Sequence, residues 1–328
     1  MIRRSLKERA LPLIDLESKH CNPDEALFND SSYFLGRGND GSHMVVRLAF
    51  RNGRLPEYWL SFHFPEKGTF ELRDLDLVEG DGFQLGGLGY ECIEPGKFWK
   101  ISYAGKMFQG EKSHQVELDL TFEGTRPLVN FKNITNPSDT ARAIARERWS
   151  GTFLKRLKEI KKVHLEQGGR ISGSISLDGE EIRIDWRSIR DHSWGTRSWG
   201  TWKRHVWMGG VLDNGEAFNL SLITYDFMGQ LSAGYLSQGE SLIYFKALPD
   251  MSSFAADPLI PKQTSIEFYD RDGKAHHLLM TMPHHFDFMM DGVYFIREGM
   301  GNFELDGITG MGVAEFGLNP EYYDTSTV

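Results

Sequence analysis

The chain has 328 residues, a formal charge of −9, and 40% hydrophobic, 25% charged and 12% aromatic residues. That composition belongs to a globular chain able to bury a core and excludes intrinsic disorder as its main state. The acidic balance argues against nucleic-acid binding, which needs a basic surface, and no apolar run is long enough to span a bilayer.

In chain order, the start from Met1 to Leu16 carries Arg3, Arg4, Lys7, Glu8 and Arg9 with no apolar stretch after them, so it does not read as a secretory signal. Two cysteines, Cys21 and Cys92, are too few for a disulfide framework or a Cys-rich metal site, which makes a reducing, cytoplasmic setting the expectation. Strands are expected from about Tyr33 to Lys132. Between Ser113 and Phe122, for instance, His114, Val116, Leu118, Leu120 and Phe122 alternate with Gln115, Glu117, Asp119 and Thr121. Asn136-Pro137-Ser138-Asp139 is a helix start signal, and the spacing of Phe153, Leu157, Ile160 and His164 predicts one helix over 140–164, stopped by Gly168-Gly169. Its eight basic residues suit the solvated face of a linker packed on a sheet. Strands resume from about Ile171 to Phe316: Ile182, Ile184 and Trp186 share one face, as do Phe218, Leu220 and Leu222. The tail from Gly317 to Val328 is expected to fray.

Glycine sets the class. There are 35, and eight follow Asn or Asp, at Gly41, Gly53, Gly82, Gly179, Gly215, Gly273, Gly292 and Gly307. Asx-Gly pairs supply the positive φ that tight hairpins require. With no βαβ rhythm and no phosphate-cradling loop, the reading is all-β: two antiparallel units joined by a helix, divided into residues 1–168 and 169–328.

Chemistry concentrates in Arg190-Asp191-His192-Ser193-Trp194-Gly195-Thr196-Arg197-Ser198-Trp199, followed by Trp202, His205 and Trp207; five of the eight tryptophans fall between Trp186 and Trp207. Aromatic walls with a few convergent polar groups are what a pocket for an apolar ligand needs. The competing account is a Trp-rich core with Asp191 in a structural ion pair with arginine. If the segment is extended, Asp191 and Ser193 face one way and His192 and Trp194 the other, unless a turn or bulge intervenes, for which Gly195 is the candidate. A carboxyl in such a wall has its pKa raised by desolvation, which favours Asp191 as the acid/base group; Arg190 or Arg197 nearby would oppose the shift. His205 sits beside Lys203 and Arg204, which suggests a surface strand end. Tyr225 and Tyr235 are candidate hydrogen-bond donors. The doublets His276-His277 and His284-His285, even with Asp287, lack metal-site spacing, and Asp191-His192-Ser193 is not a hydrolase triad, because triad members come from separate elements. The expectation is no metal and no cofactor.

The stretch Ile189 to Arg197 resembles the RDHSWG-x-R signature of a two-domain lipocalin-like superfamily that includes carotenoid 1,2-hydratase (hydroxyneurosporene synthase) and AttH-type proteins. Gly87-Leu88-Gly89-Tyr90-Glu91, Trp99 to Gly105, His164-Leu165-Glu166-Gln167, Gly299 to Glu304 and Gly310 to Phe316 extend the likeness from about Phe50 to Phe316. Glu166, Glu298 and Glu315 are candidate second acids or bases because they lie in segments that share this resemblance, each with an ordinary ion pair as its alternative. The resemblance implies two tandem lipocalin-like barrels or curved sheets, with the signature at the mouth between them. It implies a cofactor-independent hydratase, dehydratase, cyclase or isomerase for a terpenoid, steroid or polycyclic substrate, the alternative being a non-catalytic lipophile carrier. The expected catalytic set is Asp191, His192, Arg197 and Glu315, and the expected substrate-binding set is Trp194, Trp199, Trp202, Trp207, Tyr225 and Glu166. The expected partner is a hydrophobic small molecule, and a homodimer is compatible with the sequence.

Overall fold

The computed structural model describes residues 12–160, 162–251 and 261–323. Its strands are β1 (Phe28–Arg37), β2 (His43–Arg51), β3 (Glu57–Phe64), β4 (Gly68–Glu71), β5 (Phe83–Leu85), β6 (Leu88–Glu94), β7 (Phe98–Gln109), β8 (Lys112–Gly124), β9 (Val129–Asn130), β10 (Lys162–Leu177) and β11 (Glu180–Thr196). After a single 3-10 turn come β12 (Trp202–Leu212), β13 (Ala217–Tyr225), β14 (Met228–Gln238), β15 (Ser241–Ala247), β16 (Gln263–Asp270), β17 (Ala275–Met290), β18 (Tyr294–Leu305) and β19 (Ile308–Leu318). The first eleven form one antiparallel sheet in the order β4-β3-β2-β1-β11-β10-β8-β7-β6-β5, with β9 on β10. It curls until Glu71 of β4 meets Phe108 of β7. The last eight close a barrel in sequence order. The protein is all-β.

Turn chemistry follows the sequence. All eight Asx-Gly glycines have positive φ, and at Asp178-Gly179, Asp291-Gly292 and Asp306-Gly307 both residues do, closing the hairpins β10–β11, β17–β18 and β18–β19. Each unit has its own core: Phe34, Phe62, Trp99, Phe122 and Trp186 inside the first sheet, and Met208, Phe218, Phe268, Met280 and Phe316 inside the barrel. Each such side chain contributes about 1.5–3 kcal/mol on burial. A third cluster, with Tyr33, Leu35 and Ile189 from the first sheet and Met300, Met311 and Val313 from the barrel, glues the outer faces of the two units together.

Three expectations are corrected. The boundary at 168/169 falls inside β10; the signature segment belongs to the first sheet, and the change of sheet comes between Thr196 and Trp202. The single helix over 140–164 is instead two short ones, α1 (Pro137–Ala145) and α2 (Gly151–Glu159), before β10 begins at Lys162. Asn136 caps the first, accepting from the Ser138 and Asp139 amides with Pro137 in the first turn, as its signal predicts. Ser150, extended at φ −140°, ends that run and caps the second through the Phe153 amide. The tail is the third: Gly317 and Leu318 pair within β19. Residues 324–328, Lys161 and most of the segment 1–16 lie outside the described residues.

One buried polar network holds the end of the first sheet. Arg190 is 1% exposed and makes a bidentate pair with Glu17 (2.9 and 2.6 Å), while its Nε donates to Gln167 Oε1 (3.0 Å). Gln167 in turn donates to the Gly96 and Arg126 carbonyls. Removing one partner of such a pair leaves a buried charge uncompensated. Glu17→Ala is therefore expected to cost about 3–5 kcal/mol in denaturant unfolding, and the double change Glu17→Met with Arg190→Met to recover most of it. A loss in the single variant no larger than in the double would show that the pair does not hold this end.

Candidate functional site

Between the outer faces of the two units lies a cavity of about 770 Å³, walled by Trp59, Trp194, Trp199, Trp202, Trp207, Tyr225, Phe131 and Phe288. Strand alternation supplies its polar groups. On the first sheet Asp191, Tyr33 and Arg47 stand side by side in register across β11, β1 and β2, and Ser193 and Ser31 form the next row. His164 on β10 is opposite Ser193, and Lys162 lies two residues before it. From the barrel, Trp207, Glu315 and Glu298 form a matching row across β12, β19 and β18, with His205 beside them.

The ionisable groups fall into two clusters. On the first sheet, His164 Nε2 lies against Asp191 Oδ2, and its ring stacks on Phe131 at 3.9 Å. On the barrel, Tyr33 donates to Glu298 Oε1 (2.8 Å), Glu298 shares a hydrogen bond with Glu315, Glu315 pairs with His205 Nε2, and His205 Nδ1 meets the Tyr294 hydroxyl (2.8 Å). Burial pushes the Glu298 carboxyl well above its ordinary range, and the neighbouring Glu315 charge adds to the push. Burial would raise Glu315 as well, but His205, the bond from Glu298 and the Arg197 charge outweigh it and hold Glu315 below its ordinary range. Two carboxyls in contact in a dry site cannot both ionise. Glu298 therefore keeps the proton and Glu315 the charge, leaving a neutral acid facing an aromatic cavity.

Asp191, Arg197, Glu315, Trp199, Trp202, Trp207 and Tyr225 line this cavity, and Trp194 borders it while its ring stacks on His20 at 3.8 Å on the face of β11 that carries His192. His192 does not. It points to the opposite face of β11, where its Nε2 meets Asp30 Oδ1 at 2.9 Å and its ring packs edge-on to Phe83. The reason is the alternation itself, since β11 runs extended through it; Gly195, at φ 130°, departs from regular strand geometry only near the strand end. Glu166 is also off the cavity. Fully buried behind the wall, it accepts from Asn219 Nδ2 (2.7 Å), Trp207 Nε1 (3.3 Å) and the Tyr235 hydroxyl (3.4 Å). Burial raises its carboxyl well above the usual range, with the Asp191 charge second. Arg190 pairs with Glu17 rather than Asp191. His205 is buried, not at a surface strand end.

His164, Lys162, Tyr33 and Trp59 escaped the sequence reading. The expected helix absorbs the first two; the period-two series Lys162, His164, Glu166 was the signal that reveals a strand there. The histidine doublets are dispersed: His276 bonds Asp306 and Asp270, His277 bonds Ser265, and His284 lies near His43 and His63. Among the described residues no group of three or more His, Cys, Asp or Glu side chains is arranged to hold a metal ion. Nor is any described helix long and apolar enough to cross a membrane.

Fold and cavity together define a two-barrel all-β protein with an interdomain pocket. The chain belongs to the domain-of-unknown-function family DUF7064, whose model matches residues 14–320. No curated protein matches the sequence. Among solved structures it is similar to an AttH-like protein from Nitrosomonas europaea (14% identity, 95% of this chain and 98% of that one, TM-score 0.57). It is also similar to kievitone hydratase from Nectria haematococca (11% identity, 91% and 90%, TM-score 0.52). At these identities the likeness is one of fold.

The Glu298 assignment has a pH signature. Unfolded, this carboxyl releases its proton near about pH 4.3, whereas the native one keeps it to higher pH. The native state then binds more protons, so Glu298 costs stability as pH rises above that point. Glu298→Gln, whose amide can donate to Glu315 and accept from Tyr33, is expected to melt higher than the parent at neutral pH, the gain vanishing below about pH 4. Melting points that coincide across the whole range would mean that Glu298 is not held protonated.

Proposed function

We propose that the protein is a cofactor-independent acid/base enzyme, a hydratase, dehydratase, cyclase or isomerase, acting on a hydrophobic terpenoid, steroid or other polycyclic substrate held between the two units. The observation that carries this reading is the cavity with a neutral carboxyl, Glu298, on one wall and the Asp191–His164 pair on the other. A fold shared with a hydratase supports it.

In hydration, Glu298 would deliver its proton to an alkene carbon, and the second carboxylate charge this places beside Glu315 would be balanced by the cationic carbon until solvent returns a proton to Glu298. Tryptophan faces attract the cationic carbon that develops. Asp191 with His164 would take a proton from the water that attacks it, so that H and OH are added overall. Dehydration runs these steps backwards. In isomerisation or cyclisation the base removes a proton from the substrate instead of from water. Arg197, within electrostatic range of Glu315, would help keep it charged. His192 has no part in this scheme.

Every one of these reactions exchanges protons with solvent, so the test is deuterium incorporation from D2O into a panel of alkene-bearing terpenoids and polycyclic compounds, read by mass spectrometry. Glu298→Gln and Asp191→Asn are each expected to slow incorporation by about 100- to 10,000-fold. Apolar affinity, followed by tryptophan fluorescence, should change little, because the aromatic wall remains. Panel compounds that bind without acquiring deuterium would point to the carrier; full activity in both variants would remove these residues from the mechanism.

A further inference from the structure

Among the described residues, two cations on the cavity wall have no anionic partner. The Arg197 side chain donates from Nη2 to Ser193 Oγ (2.9 Å), and its guanidinium lies 5.4 Å from the Trp199 ring and 5.9 Å from the Trp202 ring. Lys162 Nζ sits 3.9 Å from the centre of that same Trp202 ring. Among the described residues, no carboxylate lies within ion-pair distance of either. Nearby acids are engaged elsewhere: Asp191 by His164, Glu315 by His205 and Glu298, and Glu25 by the Thr196 hydroxyl. Arg47, the other arginine on this wall, already has Glu57.

A guanidinium offers five N–H donors and an ammonium three, so this corner is rich in donors and short of acceptors. Burial, with Arg197 close by, holds Lys162 well below the ordinary lysine range, and burial likewise lowers Arg197. An anion seated between them would relieve both the desolvation and their mutual repulsion.

We propose that the ligand of this cavity carries a carboxylate or phosphate group seated between Arg197 and Lys162, its apolar body lying against the tryptophans. The proposal rests on the cavity being the ligand site, and it narrows the substrate class from hydrophobic compounds to anionic amphiphiles. Trp202 lies at the junction, its ring serving both the cations and the apolar body. The head group thereby fixes which carbon of the body reaches Glu298. The rival account is that the two cations serve only to keep Glu315 ionised at a distance, in which case the ligand's head group is irrelevant.

The test titrates the full chain with farnesol, farnesoic acid and farnesyl phosphate below their aggregation limits, following tryptophan fluorescence. At least one anion is expected to bind about 10- to 100-fold tighter than farnesol, the value of one or two charge-assisted hydrogen bonds, and the two anionic arms tell carboxylate from phosphate. Most of that preference, read in each folded variant as the ratio of anion affinity to farnesol affinity, should disappear in Arg197→Met and in Lys162→Met. The parent's own three-way comparison does not depend on either variant folding. Farnesol binding as tightly as both anions would overturn the proposal while leaving the apolar cavity intact. So would a preference that survives in both folded variants. Binding of none of the three would remove the apolar-cavity reading itself, and this proposal with it.

Discussion

The outer faces of two β units cannot pack on each other without taking their polar side chains out of water. Every strand of an antiparallel unit has an inner and an outer face, and here the inner faces are spent on two separate apolar cores. The outer faces would ordinarily be solvated. Where they meet, an apolar patch around Tyr33, Ile189, Met300 and Val313 brings them into contact, and the charged residues next to that patch are dried along with it. Drying a charge is costly unless it is paired, neutralised or matched by a ligand. The first two solutions occur around the cavity, and a third pair of charges has only an aromatic ring against it. Asp191 and Glu315 are paired with histidines, Glu298 is neutralised by its proton, and Arg197 and Lys162 lie against an aromatic ring.

These assignments depend on one another. Glu298 can stay protonated because Glu315 beside it is charged, and Glu315 can stay charged because His205 faces it from the neighbouring strand. The Tyr294 hydroxyl engages the other nitrogen of His205, fixing the ring that faces Glu315. A change at Tyr294, which lines no part of the cavity, would therefore be felt at Glu298. On the other wall, Phe131 stacks on His164 and sets the plane in which that ring meets Asp191.

Period two made much of this legible. It separates Asp191 from His192 without any structure, and the register of β11 with β1 puts Tyr33 beside Asp191. Eight Asx-Gly pairs located the turns, and the tryptophan cluster located the wall. What misled was the interval 140–164. There Phe153, Leu157, Ile160 and His164 fit a helical spacing, while the strand signal starts at Lys162 and overlaps its end. Four residues of helical fit outweighed two of strand, and so Lys162 and His164 were lost to the site. The domain boundary failed for a related reason. Residues from Lys162 to Thr196 follow the helices in sequence but return to pair with β1 and β8, a long-range pairing that no local pattern encodes. His205 looked exposed because its sequence neighbours are basic; across the sheet it faces an acid, which a linear reading does not see.

Placing the site between the units rather than inside one has a consequence for how it can change. The first sheet's interior is packed with Phe34, Tyr90, Trp99 and Phe122, and the barrel's with Phe218, Phe268, Met280 and Phe303, so reshaping either means cutting into a core. At well-packed positions, cutting one large side chain down costs about 2–5 kcal/mol. A cavity wall made of outer-face residues is under no such constraint: Trp59, Phe131, Phe288 and Ile223 border open space, and their replacement alters its shape while both cores stay intact. The proposed acid and base come from different units, Glu298 from the barrel and Asp191 from the first sheet, so their separation is set by the packing of the apolar patch between them. A substitution at Met300 or Val313 would therefore shift the acid relative to the base without touching either, which makes that patch, rather than the cavity wall, the element on which the chemistry most depends.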